Sequence, residues 1–190
     1  MPLPLAHGLM GATVIALCQR KQGQRKQDEW FNWRGYALGF VLAVAPDFDW
    51  FFGWLPFAPF AGRGWHHDFT HSLGFALMCG WLAAVLFHQR AEHTRQTFVY
   101  AAAMATHPLL DFFFTQSAGV ELLWPFRHER LRLGVEPPVA YVWHHHSWLG
   151  KLFDLAQIAL VELALYGSLF LLAWWMGQMA ALSKSERLSR

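Results

Sequence analysis

Seven side chains able to ligate a metal, Asp47, Asp49, His66, His67, His71, His107 and Asp111, stand in three tight groups: PDFDW at 46–50, HHDFTHS at 66–72 and THPLLD at 106–111. Each group lies at the edge of an apolar segment or inside one. A charged or strongly polar side chain at membrane depth costs roughly 2.5–3.5 kcal/mol, so several together need a compensating partner. A divalent metal is such a partner, since a structural zinc site returns on the order of 10 kcal/mol or more. His107 and Asp111 are spaced i and i+4, one turn apart on one helix face, which offers two ligands to one ion. Asp47 and Asp49 follow Pro46; one carboxylate ligates, or both do with one bridging two ions. His66, His67 and His71 cannot all reach one metal. His71, which opens an apolar segment, is expected to point inward, with Thr70 and Ser72 capping the helix or orienting a ligand. His67 and Asp68 taken alone read as interfacial polar residues. His7 precedes Gly8 in a run with no other polar group and joins the set.

The ligand pool is therefore His7, Asp49, His66, His71, His107 and Asp111, with Asp47 as ligand or general base and Thr70 beside it. Taken singly, each group also has a plainer reading: a buried His–Asp hydrogen bond, a solvated acidic turn, or polar residues at an interface. A His/Asp set without a thiolate suits zinc first, then manganese or iron. Such an ion, with an open position, activates water and polarises a phosphoryl or carbonyl oxygen. Arg127, Arg130 and Arg132 are candidates to hold a substrate's phosphates. His128 and the run His144, His145, His146 could complete a second site or act as acid or base. Cys18 and Cys79 form no metal spacing and read as small core residues.

The elements that must position these groups are apolar. The chain has 190 residues, 55% of them hydrophobic, with 15% charged and 17% aromatic. A typical soluble domain carries about 25% charged residues. A net charge of +2 gives nucleic-acid binding no support. Five apolar segments stand out: Leu3–Cys18, Tyr36–Pro46, Ser72–His88, Thr97–Thr115 and Leu155–Leu182. A spanning helix needs about 20 residues; the fifth qualifies, the third and fourth are adequate, and the first two are short. The first has no basic residue before it, which argues against a cleaved signal peptide.

The expected fold is all-α, an integral membrane bundle of about four to five apolar helices. Residues 1–182 form a single membrane-embedded, hydrolase-like domain, residues 116–151 a cap loop over the site, and residues 183–190 a solvated tail. If all five segments span, the basic stretches Gln19–Arg34, His88–Gln96 and the C-terminal tail share one side, which the positive-inside rule makes the cytoplasm. Every candidate ligand then maps to the outer face. Arg127, Arg130 and Arg132 are the exception to that charge pattern.

His7 before a small residue, the PDFD of 46–49, the THS of 70–72, THPLLD at 106–111 and LLWPF at 122–126, in this order, resemble the bacterial family of membrane-bound proteins classed as metal-dependent hydrolases. The resemblance covers roughly residues 5–130 and implies an inner-membrane helical protein with a metal-supported hydrolase site. A more distant similarity is to the zinc-dependent phospholipase C and single-strand nuclease superfamily, which orders its ligands His, Asp, His, then H-x3-D. That order is matched by His7, Asp47 or Asp49, His66 or His71, and His107 with Asp111. It implies a phosphoester substrate, with a lipid or lipid-linked molecule natural at a membrane. This chain departs at His67 and Asp68, where the first family carries Arg and Gly. It also lacks the later H-x3-E pair of the superfamily, which leaves one or two ions rather than three.

The rival readings are a metal or proton transporter or sensor using the same His/Asp cluster, and a membrane scaffold with a structural metal. A transporter needs polar groups continuing toward the cytoplasmic half, and the third and fourth segments turn apolar away from the motifs.

Overall fold

The computed structural model describes residues 3–19, 29–54, 66–115, 118–136 and 147–188, and over these the chain is helical with one isolated β-bridge. Five α-helices form: α1 (Pro4–Gln19), α2 (Glu29–Val44), α3 (Leu73–Phe87), α4 (His93–Phe114) and α5 (Trp148–Leu188). Short 3-10 segments, Ala45–Trp54, Phe69–His71 and Arg90–Glu92, lead out of α2, into α3 and into α4. Each expected apolar segment is found as a helix. The ends differ where polar residues are good helix formers. α5 begins at Trp148, inside the expected loop, and runs through Leu188, taking in most of the expected tail.

Among the described residues, one helical stretch, Trp148–Met179, is long and apolar enough to cross a membrane by itself. Pro4–Cys18 and Leu73–Phe87 are apolar but shorter. The packing adds a second observation. The buried hydrophobic positions are mostly alanine, among them Ala6, Ala12, Ala16, Ala43, Ala76, Ala83, Ala84 and Ala103. Large apolar side chains such as Trp81, Leu86, Phe98, Leu160 and Leu171 point outward. Water would favour the reverse distribution. Small residues between helices and large apolar ones outside suit contact with lipid.

α1 packs on α2, α4 and α5, while α4 also packs on α2 and α3. Ile15, Ala83, Ala84, Tyr100 and Ala103 form the centre, flanked by Val14, Tyr36, Leu38, Leu42 and Val99. Two close approaches fix the spacing. A Cβ on Gly11 would lie 2.3 Å from the Gly39 carbonyl oxygen, and one on Gly80 would lie 2.5 Å from the Ala101 nitrogen. In both cases the neighbour is backbone, which cannot swing aside. This brings the start of α1 to the end of α2, and the start of α3 to the last turns of α4.

The segment 118–136 closes over that end. Val120 and Leu131 pair through backbone bonds of 3.0 and 2.8 Å, Leu122 accepts from the Leu73 N–H, and Glu121 donates to the His67 carbonyl. Leu133 and Val135 donate to Phe112 and Phe113 at the end of α4.

Gly80→Ala is expected to destabilise the detergent-solubilised protein by about 1–3 kcal/mol, the usual cost of overpacking. Thermal melting followed by circular dichroism checks this, and an unchanged midpoint would mean that α3 and α4 are not held at this distance.

Candidate metal centre

Four elements deliver the cluster, and a fifth bears on one of them. α1 supplies His7 from its first turn. The 3-10 segment after α2 supplies Asp47 and Asp49, and the turn before α3 supplies His66, His67 and His71. α4 supplies His107 and Asp111. The fifth element, α5, supplies no ligand-type contact to the cluster among the described residues but bears on α1, as shown below. Ser72 fixes the turn before α3. Its Oγ donates to the Phe69 carbonyl at 2.7 Å and accepts the Phe75 N–H at 3.0 Å, capping the helix.

The hydrogen bonds decide which ring nitrogens face inward. The Ala43 carbonyl can only accept, so the bond of 2.7 Å between it and His107 Nδ1 places the proton on Nδ1. The Thr70 hydroxyl donates to Asp49 Oδ2 at 2.6 Å. Its single proton is thereby used, and at 3.1 Å Thr70 Oγ1 must accept from His71 Nδ1–H. In the neutral rings, therefore, His71 Nε2 and His107 Nε2 both carry lone pairs, and they lie 3.0 Å apart. Asp111 Oδ2 is 3.3 Å from His107 Nε2 and 3.6 Å from His71 Nε2. Asp47 Oδ1 is 3.5 Å from His107 Nε2 and 3.9 Å from His71 Nε2. With both rings neutral, four acceptors thus converge with no donor between them, an arrangement that calls for a metal ion or a proton at the centre.

The cluster is sealed. His7, His71, His107 and Asp111 are fully buried, while the Asp47 side chain keeps 19% of its exposure. His7 Nε2 lies 3.6 Å from Asp111 Oδ1, and the His7 ring stacks on His107 at 3.9 Å. Neither nitrogen of His7 and neither oxygen of Asp111 has a hydrogen-bond partner. Buried polar groups without partners are costly, and here they face one another. Metal–ligand bonds of about 2.0–2.2 Å put ligand atoms roughly 3.3–3.6 Å apart around a tetrahedral ion, and the spacings here, from 3.0 to 3.9 Å, bracket that range. The residues fit a divalent cation, and among the described residues three overlapping groups could hold one: His7, His107 and Asp111; Asp47, His71 and His107; and, against the expectation that they cannot all reach one metal, His66, His67 and His71, which the turn before α3 folds together.

The electrostatics of the connecting segments agree. Burial works to lower the His71 pKa, but the Asp47, Asp49 and Asp111 carboxylates around the ring outweigh this and hold it up at about 9, so without a metal the ring takes up a second proton at pH 7. The pocket thus draws positive charge. Burial, with His71 nearby, brings His67 down to about 4, so at pH 7 it is a neutral ring with a lone pair. Burial pushes the Asp49 carboxyl up, yet hydrogen bonds from His66, His71 and Thr70 hold it well below the usual carboxylate range.

The sequence-based expectations fall into place unevenly. His7, His71, His107 and Asp111 meet at one point. Asp47 and Asp49 divide their roles differently from the expectation. Asp49 accepts from His66 Nδ1 at 2.9 Å and from Thr70, and lies 3.3 Å from His71 Nδ1, the outward-facing nitrogen. Asp47 is the acid directed at the inward nitrogens. Thr70 links Asp49 to His71. His67, read as interfacial, is buried, with Nε2 3.8 Å from Asp111 Oδ2; no sequence signal marks this, because it depends on a left-handed backbone at that residue. Arg130 is held in an ion pair with Asp68, while Arg127 and Arg132 are exposed. The His128 side chain is 71% exposed and 3.5 Å from Glu121. His144, His145 and His146 lie outside the described residues. Glu162, fully buried in α5, was overlooked; its signal was a lone acid in the longest apolar segment.

No curated protein and no solved structure matches the chain significantly. The chain matches a family, the YdjM inner membrane proteins, over residues 1–183. The match takes in all five helices up to the last turns of α5 and every residue of the cluster. The chain belongs to the YdjM inner membrane protein family.

Proposed function

We propose that the protein is a multi-pass inner-membrane hydrolase whose His/Asp cluster, near the outer face, holds one or two divalent ions, zinc foremost, and cleaves a phosphoester in a lipid or lipid-linked substrate. The observation that carries the reading is the sealed group of acceptors in which two imidazole lone pairs stand 3.0 Å apart beside two carboxylates. Such a group calls for positive charge at its centre, and the carboxylates of Asp47 and Asp111 beside it favour a divalent ion over a proton alone. His7, His71, His107 and Asp111 would hold it, with Asp49 and Thr70 keeping His71 in the right tautomer. The ion would supply Lewis acidity for ester hydrolysis at neutral pH.

Asp47 is the member of the inner cluster with solvent access. It is where water and substrate can reach, and we assign its carboxylate the proton of the attacking water. The water oxygen bonds to phosphorus, the ester P–O bond breaks, and the leaving oxygen takes a proton. Arg127 and Arg132, exposed on the segment that covers the site, suit the phosphate; Arg130, engaged by Asp68, instead tethers that segment.

His67 adds support. It is the one non-glycine residue with positive φ among the described residues, at 73°. This backbone costs about 1 kcal/mol or more for a non-glycine residue and is kept where the surroundings demand it. A glycine would relieve the strain but remove the imidazole.

The 3.0 Å contact between His71 and His107 also suits a shared proton, as in a transporter. α4 continues from the site into the buried, apolar Ala101, Ala103 and Met104 and then into the buried Tyr100, Thr97 and Gln96, so the packing alone does not separate the two readings. Metal content decides. Elemental mass spectrometry of detergent-purified wild type is expected to give about one or two equivalents of zinc, manganese or iron per chain, and Asp111→Asn should lose them; no metal in either, after reconstitution, sinks the reading. For His67→Gly, the metal-free protein should melt no lower than wild type while zinc binds about 10-fold or more weaker. Equal zinc affinity would remove His67 from the site. Asp47→Asn should keep metal but lose a factor of about 10²–10⁴ in hydrolysis of a phosphoester the wild type turns over; full activity would exclude it as the base.

A further inference from the structure

We propose that Glu162, on α5, is a positioning residue for the metal centre and acts through His7. The inference rests on the reading of the cluster as a metal site. Glu162 is fully buried, although its helix neighbours Leu160, Val161 and Leu163 are exposed. An acid buried on an apolar helix is costly and is kept for a reason. Here its two oxygens reach the first turn of α1. Oε1 accepts the Leu3 N–H at 2.7 Å and Oε2 accepts the Ala6 N–H at 3.2 Å.

Those two N–H groups are the pair that a capping box satisfies from within the helix. The first-turn N–H groups of a helix have no partner inside it. Leu3, directly before the helix, has no side-chain acceptor, and Pro4 has no N–H to give. α1 therefore has no side-chain cap of its own, and although the Ala6 N–H also reaches the Leu3 carbonyl at 3.1 Å, Glu162 supplies both halves of a side-chain cap from another helix. Its negative charge also meets the positive end of the α1 dipole.

The next residue after Ala6 is His7. Its two ring nitrogens have no hydrogen-bond partner, so beyond the 3.6 Å approach of Nε2 to Asp111 no hydrogen bond of its own orients the ring. His7 is placed by its stacking on His107 and by the backbone of the turn that Glu162 holds. The other cluster histidines are steered by partners of their own: His71 by Thr70, His107 by Ala43 and His66 by Asp49. Glu162 does for His7, through the backbone, what those contacts do for the other rings.

The test is a double-mutant cycle on zinc affinity, measured with the full chain in detergent by competition with a chelating dye. An amide at 162 can accept through one oxygen only, so E162Q should weaken zinc binding by about 10-fold, within the range for residues that support a ligand. In an H7A background, E162Q should cause no further loss, because its effect passes through His7. Adding L3S, which gives α1 a local cap, should restore zinc affinity to E162Q. An equal loss in both backgrounds would make Glu162 a general structural residue and overturn the proposal, as would an unchanged affinity in E162Q. If E162Q does not fold, the L3S/E162Q double variant decides alone: wild-type affinity supports the proposal and failure to fold overturns it. Wild-type protein that binds no zinc removes the metal reading itself, which is a separate and recognisable result.

Discussion

The rest of the structure turns on a repulsion. His71 Nε2 and His107 Nε2 stand 3.0 Å apart, each with its proton fixed on the far nitrogen by a group that leaves it no choice. The carboxylates of Asp47 and Asp111 face the same point. In water such groups would turn to solvent donors. Here the imidazoles and Asp111 are fully buried, so their lone pairs are stranded together. A protein interior tolerates this only with positive charge at the centre. Sites that bind metal are built in this way, with ligands prearranged and held by groups outside the ligand shell.

The helices make this arrangement possible through small side chains. Alanine and glycine between α1, α2, α3 and α4 let backbones approach closely enough for the Ala43 carbonyl at the end of α2 to reach His107 on α4. The large apolar residues are turned outward, toward the inner-membrane surroundings that the family implies. Without water competing inside, each hydrogen bond around the cluster carries more weight, and each unpartnered polar atom costs more. The covering segment adds to the seal: its backbone binds both the His67 carbonyl and the end of α4.

Much of this was legible in the sequence because each cue was local. Ser72 announced a helix start, and it caps α3. The four-residue spacing of His107 and Asp111 put both on one side of α4, and they meet. The order of the motifs told which segments carry the clustered His and Asp side chains. What the sequence does not encode locally was missed. Which of Asp47 and Asp49 turns inward depends on a 3-10 segment whose orientation is set by Thr70 and His66, distant in the chain. The burial of His67 depends on one backbone angle. The partnership of Glu162 with Leu3 and Ala6 spans more than 150 residues, and no periodicity predicts it. The number of crossings is equally non-local, since short apolar helices such as α1 and α3 read alike as spans or as core.

X-ray absorption at the zinc K-edge of protein reconstituted with one equivalent of zinc bears on the central claim most directly. The expected spectrum has nitrogen and oxygen neighbours at about 2.0–2.2 Å, with the outer-shell pattern of several imidazoles and no sulfur. A sulfur shell near 2.3 Å, or a metal surrounded by water oxygens alone, would contradict the assignment of His7, His71, His107 and Asp111 as its ligands.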